Sequence, residues 1–262
     1  MTSGMLDPDI TATAQMNARK PGRLAGCAPA AEAFRQVDPS VEITWHHDDG
    51  DELQPGTVIA DISGTLASIL VAERTALNFM GHLSGIATRV NEFVQIADGR
   101  IGVWDTRKTT PGLRALEKAA TRAGGGRNHR GNLSGWLMFK DNHLVGMSIG
   151  EAVAQARDRW PGRPIHVEAD RLEQVEEAVA AHADLILLDN MSPDTVREAL
   201  ELIGPKRPDG RPIVEASGGI TIETIGDYAA TGVDYVSSGS LTNSAPVLDI
   251  GVDIEIDAVD RG

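Results

Sequence analysis

The sequence predicts an α/β protein in which a small β-rich unit precedes a series of parallel βαβ units. Three observations support this prediction. Short apolar runs alternate with amphipathic helical patterns through the second half of the 262 residues, the ends of the later runs recur at regular intervals, and the first part of the chain lacks this alternation. Apolar runs that alternate with helices are typical of parallel sheets with helices on their faces.

Six apolar runs of four to six residues predict the strands of this sheet, and they cover residues 101–104, 135–140, 164–168, 185–189, 212–217 and 234–238. Helical patterns separate the later runs at residues 149–160, 171–181, 192–204 and 221–232. From Lys140 onward the last residues of successive runs are 28, 21, 28 and 21 positions apart, a βα repeat that suits a barrel. Six strands are fewer than the eight of a closed (β/α)8 barrel, so closure does not follow from the pattern.

The N-terminal part reads as a small β-rich unit built from residues 18–26, 41–53, 56–65 and 66–73. Within it, the Asp- and Gly-rich stretch 48–53 predicts a turn between strands. Residues 73–95 show the apolar spacing of a helix, and we expect this helix to bridge the two parts.

The composition excludes several classes of protein. A formal net charge of −14 argues against general nucleic-acid binding, which needs a broad basic face. The chain starts without the segments of a signal peptide and has no apolar run near the roughly 18 residues that span a bilayer. The single cysteine, Cys27, allows no internal disulfide, as expected in a reducing compartment. We therefore expect a cytoplasmic protein with no membrane or nucleic-acid partner.

Positive charge is concentrated in one stretch of this acidic chain. Residues 107–140 hold eight basic residues and the single acid Glu117, whereas the rest of the chain holds 16 basic and 37 acidic residues. The eight are Arg107, Lys108, Arg114, Lys118, Arg122, Arg127, Arg130 and Lys140. A pocket for a small anionic ligand is the favoured interpretation. Arg114, Lys118 and Arg122 recur at helical spacing, and we expect them to form a solvated helix face.

Polar residues end five successive strand runs, at Lys140, Glu168, Asp189, Ser217 and Ser238. The carboxyl ends of parallel strands meet at one mouth, where such folds build their active sites. Polar residues also mark ordinary strand ends, but five in succession favour a site. Glu168 and Asp189 should be neighbours there and offer the oxygen ligands that Mg²⁺ takes, although they could instead be solvated loop acids.

Two turns at this mouth indicate a phosphate site. Ser217-Gly218-Gly219 is expected to lead directly into a helix, and Ser238-Gly239-Ser240 forms a second such turn. Either turn alone could be ordinary turn chemistry. His129 lies in the loop of Arg130 and could be either structural or a ligand contact. The sequence shows neither a Walker nor a dinucleotide fingerprint, and no His/Cys cluster that would suggest zinc.

Seven blocks together resemble the quinolinate phosphoribosyltransferase family, from about Ala18 to the C-terminus. They are ERTALNFMGHLSGIAT, DTRKTTPGLR, GGGRNHRGNL, FKDNH, LLDNM, EASGGI and SLTNSAPVLDI. The resemblance implies an open-faced α/β sandwich of residues 1–86, to which residues 247–262 return, joined to an incomplete α/β barrel of residues 87–246. It implies a homodimer with shared active sites, or a higher oligomer. The implied reaction belongs to NAD biosynthesis: quinolinate and phosphoribosyl pyrophosphate give nicotinate mononucleotide, pyrophosphate and CO₂, with Mg²⁺.

The resemblance also implies roles for individual residues. The expected quinolinate contacts are Arg107, His129, Arg130, Lys140 and, from the other subunit, Arg74. The expected contacts to the phosphoribosyl donor are Lys108, Lys140 and, for its ribose hydroxyls and Mg²⁺, Glu168 and Asp189. Thr109 belongs to the same substrate-binding set. The 5′-phosphate is expected at Ser217, Gly218, Gly219, Ser238, Gly239 and Ser240. Lys140, Glu168 and Asp189 are the expected catalytic residues.

Three positions depart from the family pattern: Arg127 replaces a small apolar residue, His166 an acid, and Asn243 a histidine. Two alternatives to the enzyme stay open. A related family associated with molybdenum transport shares the fold but generally lacks the intact Lys140-Asp141-Asn142-His143 block found here. A catalytically silent relative would bind quinolinate without releasing CO₂.

Overall fold

The computed structural model describes residues 3–205, 210 and 212–257. Its strands are β1 (Thr11–Ala18), β2 (Gly22–Arg23), β3 (Glu42–Trp45), β4 (Glu52–Leu53), β5 (Val58–Thr65), β6 (Gly102–Trp104), β7 (Leu137–Phe139), β8 (Ile165–Ala169), β9 (Leu185–Asp189), β10 (Ile213–Ser217), β11 (Tyr235–Ser237) and β12 (Ile250–Ile256). Its α-helices are α1 (Cys27–Val37), α2 (Leu66–Ala97), α3 (Arg114–Ala123), α4 (Ile149–Arg159), α5 (Leu172–Ala180), α6 (Pro193–Ile203), α7 (Ile225–Ala229) and α8 (Ser240–Asn243). No helix among these residues is both long and apolar enough to cross a membrane.

The chain divides into two units. The first comprises residues 1–91, 115–125 and 244–262, and the second comprises residues 92–114 and 126–243. Helix α3 therefore groups with the first unit, which the sequence did not indicate.

The first unit is built on an antiparallel sheet of order β12-β1-β5-β3. Alternate residues of β1 are buried, among them Ala12, Ala14 and Met16, while Thr13 and Gln15 are exposed. The buried side chains share a core with residues of α1 and α2, such as Phe34 and Met80. One face of the sheet is thus covered and the other is open, as the predicted open-faced sandwich requires.

Residues 66–73, which we predicted to belong to the β-rich part, instead form the start of α2. Ile69, Ala72, Ala76, Met80 and Leu83 are buried at the three- and four-residue spacing of one helix face. The predicted helix over residues 73–95 is confirmed and is longer at both ends.

The C-terminal segment returns to the first unit, where β12 pairs antiparallel with β1. Gly85 of α2 allows this return, because a Cβ there would lie 3.0 Å from the carbonyl carbon of Pro246. Residues 258–262 of the predicted return segment lie outside the described residues.

The second unit confirms the six predicted parallel strands, in the order β6-β11-β10-β9-β8-β7. β6 and β7 follow one another in this series along the chain, yet they stand at opposite edges of the sheet. The sheet therefore forms a partial α/β barrel. The register aligns Asp189 with Ser217 and Ser217 with Ser237, so that the carboxyl ends of three strands meet in one row.

Candidate active site

One pocket of the second unit collects eight of the residues that the sequence singled out. They are Arg107, Lys108, His129, Arg130, Lys140, Glu168, Asp189 and Ser217. The lining also includes five residues that we did not predict: Thr106, Met138, Leu187, Glu215 and Ser237. The pocket lies at the carboxyl ends of β6 to β11, where the parallel sheet predicted it.

Asp105 holds two basic segments of this pocket together. It is fully buried directly after β6, and its Oδ1 accepts the backbone N–H of His129 at 2.8 Å. Its Oδ2 accepts from the side-chain amide of Asn128, also at 2.8 Å. The segment of Arg107 is thereby joined to the loop of Arg130. Sequence reasoning missed this role, because a single acid after a strand gives no signal of its long-range partner.

The segment after β6 is also supported by Arg114, which is the first residue of α3 and belongs to the second unit. Arg114 Nε donates to the hydroxyl of Thr109 at 3.1 Å, and the N–H of Thr109 donates to the carbonyl of Arg107 at 3.0 Å. Thr109 does not line the pocket, so its predicted substrate contact stays a prediction. The predicted solvated face of α3 is wrong at Lys118, which is only 8% exposed.

A carboxylate faces a cation across the pocket. Lys140 Nζ contacts the carboxylate of Glu168, and the two side chains are 42% and 15% exposed. Asp189 Oδ2 accepts from the side chain of Asn190 at 2.7 Å. Glu168 and Asp189 both line the pocket, and their carboxylate oxygens fit the donor set that Mg²⁺ takes together with substrate phosphates.

Burial lowers the pKa of the Arg130 guanidinium, and the positive charge of Arg107 lowers it further, whereas Glu168 and Glu215 oppose the change. Arg130 is held by hydrogen bonds to the carbonyl of Trp136 and to the sulfur of Met138, both at 3.3 Å. Like charges are thus held close together before any ligand binds. Such a set is suited to an anion with more than one negative charge.

The turn after β10 has the backbone shape expected of a phosphate cradle. Gly218 and Gly219 have φ angles of 93° and 65°, which favour glycine. The hydroxyl of Ser237 donates to that of Ser217 at 3.0 Å, which joins this turn to the next strand. The helix that we expected directly after Gly219 is wrong, because α7 begins only at Ile225.

The second turn leads directly into α8. The hydroxyls of Ser238 and Ser240 lie 2.8 Å apart, and a Cβ at Gly239 would lie 2.7 Å from the Lys108 side chain. Gly218, Gly219, Ser238, Gly239 and Ser240 do not belong to the pocket lining. Their phosphate contacts therefore stay predictions.

A buried cluster of two imidazoles and a carboxylate lies in the wall of the pocket. His129 Nε2 and His166 Nε2 are 3.3 Å and 3.4 Å from Glu215 Oε2, and all three side chains are buried. Burial, opposed by the charge of Glu215, lowers the pKa of His166 to about 4. Burial alone would raise the pKa of Glu215, but the close contact with His129 and the charges of both imidazoles lower it.

Sequence reasoning missed this cluster, because His129, His166 and Glu215 come from three distant segments. Their ligand atoms all lie within 4.8 Å of one another. Arg74, by contrast, lies on α2 in the first unit with a side chain that is 75% exposed. Its predicted contact in another subunit stays a prediction.

Both parts of the chain match models of known domains. Residues 1–84 match the quinolinate phosphoribosyl transferase N-terminal domain, and residues 86–253 match the C-terminal domain. The chain is 44% identical over 259 residues to the probable nicotinate-nucleotide pyrophosphorylase (carboxylating) of Bacillus subtilis strain 168, covering 98% of this chain and 88% of that protein. It is 37% identical over 257 residues to the nicotinate-nucleotide pyrophosphorylase (carboxylating) of Mycobacterium leprae, covering 97% and 90%. The crystal structure of NadC from Streptococcus pyogenes superposes with a TM-score of 0.91 at 42% identity, covering 98% and 90%.

Proposed function

The chain belongs to the quinolinate phosphoribosyltransferase family, and from that premise we propose that it makes nicotinate mononucleotide, pyrophosphate and CO₂ from quinolinate and phosphoribosyl pyrophosphate. The observation that supports this function best is the pocket in which Arg107, Lys108, Arg130 and Lys140 face Glu168 and Asp189. The two substrates carry two carboxylates, a monophosphate and a pyrophosphate, and a cationic pocket of this kind can hold them close together. The relatives' names favour this reaction over a molybdenum-transport homologue.

The chemistry requires more positioning than proton transfer. The bond between ribose C1′ and pyrophosphate breaks with its electrons leaving on oxygen, and the pyridine nitrogen forms the new bond to C1′. Lys108 and Lys140 line the pocket and would stabilise the negative charge that grows on the departing group. Orientation of the two substrates in one pocket supplies much of the remaining rate.

Loss of CO₂ follows ribosylation, because the quaternary ring nitrogen can then accept the electrons of the breaking carbon–carboxylate bond. The ring carbon takes up a proton afterwards. The basic wall of Arg107, Arg130 and His129 would hold the second carboxylate of quinolinate and keep the ring in place.

Glu168 and Asp189 would hold Mg²⁺ and the ribose hydroxyls of the donor. When bound, Mg²⁺ would supply Lewis-acid stabilisation of the pyrophosphate oxygens. Glu168 would then contact Mg²⁺ and the ribose hydroxyls in place of part of its present contact with Lys140.

The chain would act as a homodimer in which the partner subunit's Arg74 reaches quinolinate. The high exposure of Arg74 supports this assignment. Mixing an inactive Arg74→Ala subunit with an inactive Lys140→Ala subunit would restore partial activity if the site is shared, because one pocket of each mixed dimer carries neither change. No recovery after verified subunit exchange would contradict a shared site. A cytoplasmic location also stays a prediction.

The assay that tests the proposed function supplies Mg²⁺ and phosphoribosyl pyrophosphate with either quinolinate or nicotinate. We expect quinolinate to be consumed with equal amounts of CO₂ and nicotinate mononucleotide formed. Binding of quinolinate without CO₂ release would identify a silent relative, and turnover of nicotinate alone would refute the decarboxylating assignment.

A further inference from the structure

The carboxylate of Glu215 is a fully buried charge in the wall of the pocket. Its side chain is fully buried in β10, yet it contributes to the pocket wall. The pKa of Glu215 lies below its usual value despite the burial, so the group is ionised and needs positive charge nearby. His129 and His166 supply the two nearest ring nitrogens, at 3.3 Å and 3.4 Å from the same oxygen.

We propose that Glu215 is a positioning residue, whose carboxylate fixes the His129 ring in the pocket wall so that it can receive a carboxylate of the aromatic substrate. The inference rests on the proposed function and adds a residue to it. The separations are those of ion pairs, and such contacts commonly tighten when a ligand binds.

The surroundings of His129 support this role. Its ring packs edge-on against Trp104 and Trp136, with centroid distances of 5.2 Å and 4.8 Å. Its backbone N–H is held by Asp105. The indoles restrict the plane of the ring, and Glu215 determines which nitrogen points into the wall. With Nε2 held towards Glu215, Nδ1 is the His129 nitrogen that is left for a carboxylate of the substrate.

His166 is the second imidazole in contact with the Glu215 carboxylate. Its Nε2 lies 3.4 Å from the same Glu215 oxygen that His129 Nε2 approaches, so the two imidazoles hold that carboxylate between them. His166 does not line the pocket, which makes it a support for Glu215 and not a substrate contact.

Two His and one Glu could also hold a transition metal, but two features oppose this. The cations of Arg130 and Lys140 already act on His166, and a divalent ion would add two more positive charges beside them. Metal-bound histidines almost always donate their second nitrogen to an acceptor. Within the described part of the chain, no hydrogen-bond partner reaches Nδ1 of His166.

The chain provides a matched control elsewhere. His82 Nε2 and Glu117 Oε1 are 2.8 Å apart, and Glu117 is fully buried, but this pair belongs to the first unit. Glu117→Gln therefore removes a buried carboxylate beside an imidazole without touching the pocket lining.

The test compares steady-state kinetics of wild-type, Glu215→Gln and Glu117→Gln protein. In Glu215→Gln the His129 ring should no longer be held in place, so quinolinate loses the hydrogen bond between its carboxylate and His129. Loss of a hydrogen bond to a charged group predicts a rise of roughly tenfold to a hundredfold in the KM for quinolinate. The KM for phosphoribosyl pyrophosphate should stay within about twofold, since that substrate gains nothing from His129. Glu117→Gln should leave both KM values unchanged.

Each outcome decides a separate point. If the wild-type protein does not turn over quinolinate, the proposed function fails, whereas an active wild type with an unchanged KM in Glu215→Gln overturns only the role of Glu215. If both KM values rise together, the effect is structural and the proposal is wrong.

Nitrogen NMR of ¹⁵N-His-labelled wild-type protein gives a test that does not depend on a variant folding. We expect Nε2 of His129 to carry the proton. The proposal would be overturned if Nε2 of His129 carried no proton. It would also be overturned, in favour of a metal site, if the wild-type protein bound stoichiometric Zn²⁺ and the His166→Ala protein did not.

Discussion

Replacing Lys140 by alanine should separate catalysis from folding. Lys140 Nζ contacts Glu168 inside the pocket, and its side chain is 42% exposed. Lys140 is the more exposed partner and Glu168 keeps some contact with solvent, so the pair contributes about 1 kcal/mol to stability. In the proposed reaction the same ammonium would stabilise the leaving group as it becomes negative, and loss of one such stabilising group typically costs ~10²–10³ in kcat.

We therefore expect Lys140→Ala to lose ~10²-fold or more in kcat while its free energy of unfolding falls by no more than about 1 kcal/mol. For a chain of this size that corresponds to a fall in Tm of roughly 2–4 °C. Rates would be followed by CO₂ release at saturating substrates, and stability by urea unfolding. Arg157→Ala is the control, because Arg157 is 41% exposed and pairs with Asp184 away from the pocket. An unchanged rate in Lys140→Ala, or an equal loss in the control, would refute the reasoning.

Three further predictions follow from the same geometry. Gly218→Ala should weaken binding of phosphoribosyl pyrophosphate more than Gly219→Ala, because both have positive φ but only at Gly218 would a Cβ meet neighbouring atoms; equal KM values in the two variants would contradict this. Chelation of Mg²⁺ should abolish turnover, and Asp189→Asn should raise the Mg²⁺ concentration needed for half the maximal rate by about tenfold, which corresponds to ~1.4 kcal/mol; an unaltered Mg²⁺ requirement would mean that other groups hold the ion. The folded-state pKa of His166, about 4, lies below the unfolded value of 6.5. The unfolded chain therefore binds the proton first, and stability without added metal should be complete above pH 6.5 and fall towards pH 4, by up to ~1.4 kcal/mol per pH unit. His166→Gln should flatten that slope in urea unfolding, and a slope unchanged by the substitution would show that another group is responsible.

The sequence predicted the parallel sheet well because most residues of β8, β9 and β10 are buried, so that these strands appear as largely apolar runs. The first unit was harder to predict. β1 buries mainly alanines, which give little contrast with the threonines between them. β12 carries Asp253 and Glu255 on its exposed face, and its partner β1 lies at the other end of the chain. Pairings over such a separation leave no local pattern. Residues 66–73 were misassigned because a cluster of β-branched and leucine side chains in a helix resembles a strand.

The same limit applies to the site. Residues at strand ends could be predicted, since the end of an apolar run is visible in the sequence and parallel strands end together. The hydrogen bonds of Asp105 to His129 and Asn128 could not be predicted, because they join two loops that share no sequence pattern. The packing of the indole rings against His129 could not be predicted either, because these contacts depend on the packing of several strand ends.

Glu215 did leave a signal, which becomes clear from the period of the strands. Side chains two residues apart on a strand point to the same face. Glu215 stands two positions before Ser217, as His166 stands two positions before Glu168, so both must point to the face that carries the pocket. The register places Glu168 and Glu215 on either side of Leu187, in one row across three strands. A charged residue inside an otherwise apolar run, two positions before a residue at the mouth, therefore indicates a second polar layer in the wall of the pocket. In this chain that layer consists of buried side chains whose charges must balance before the pocket can hold several anionic groups.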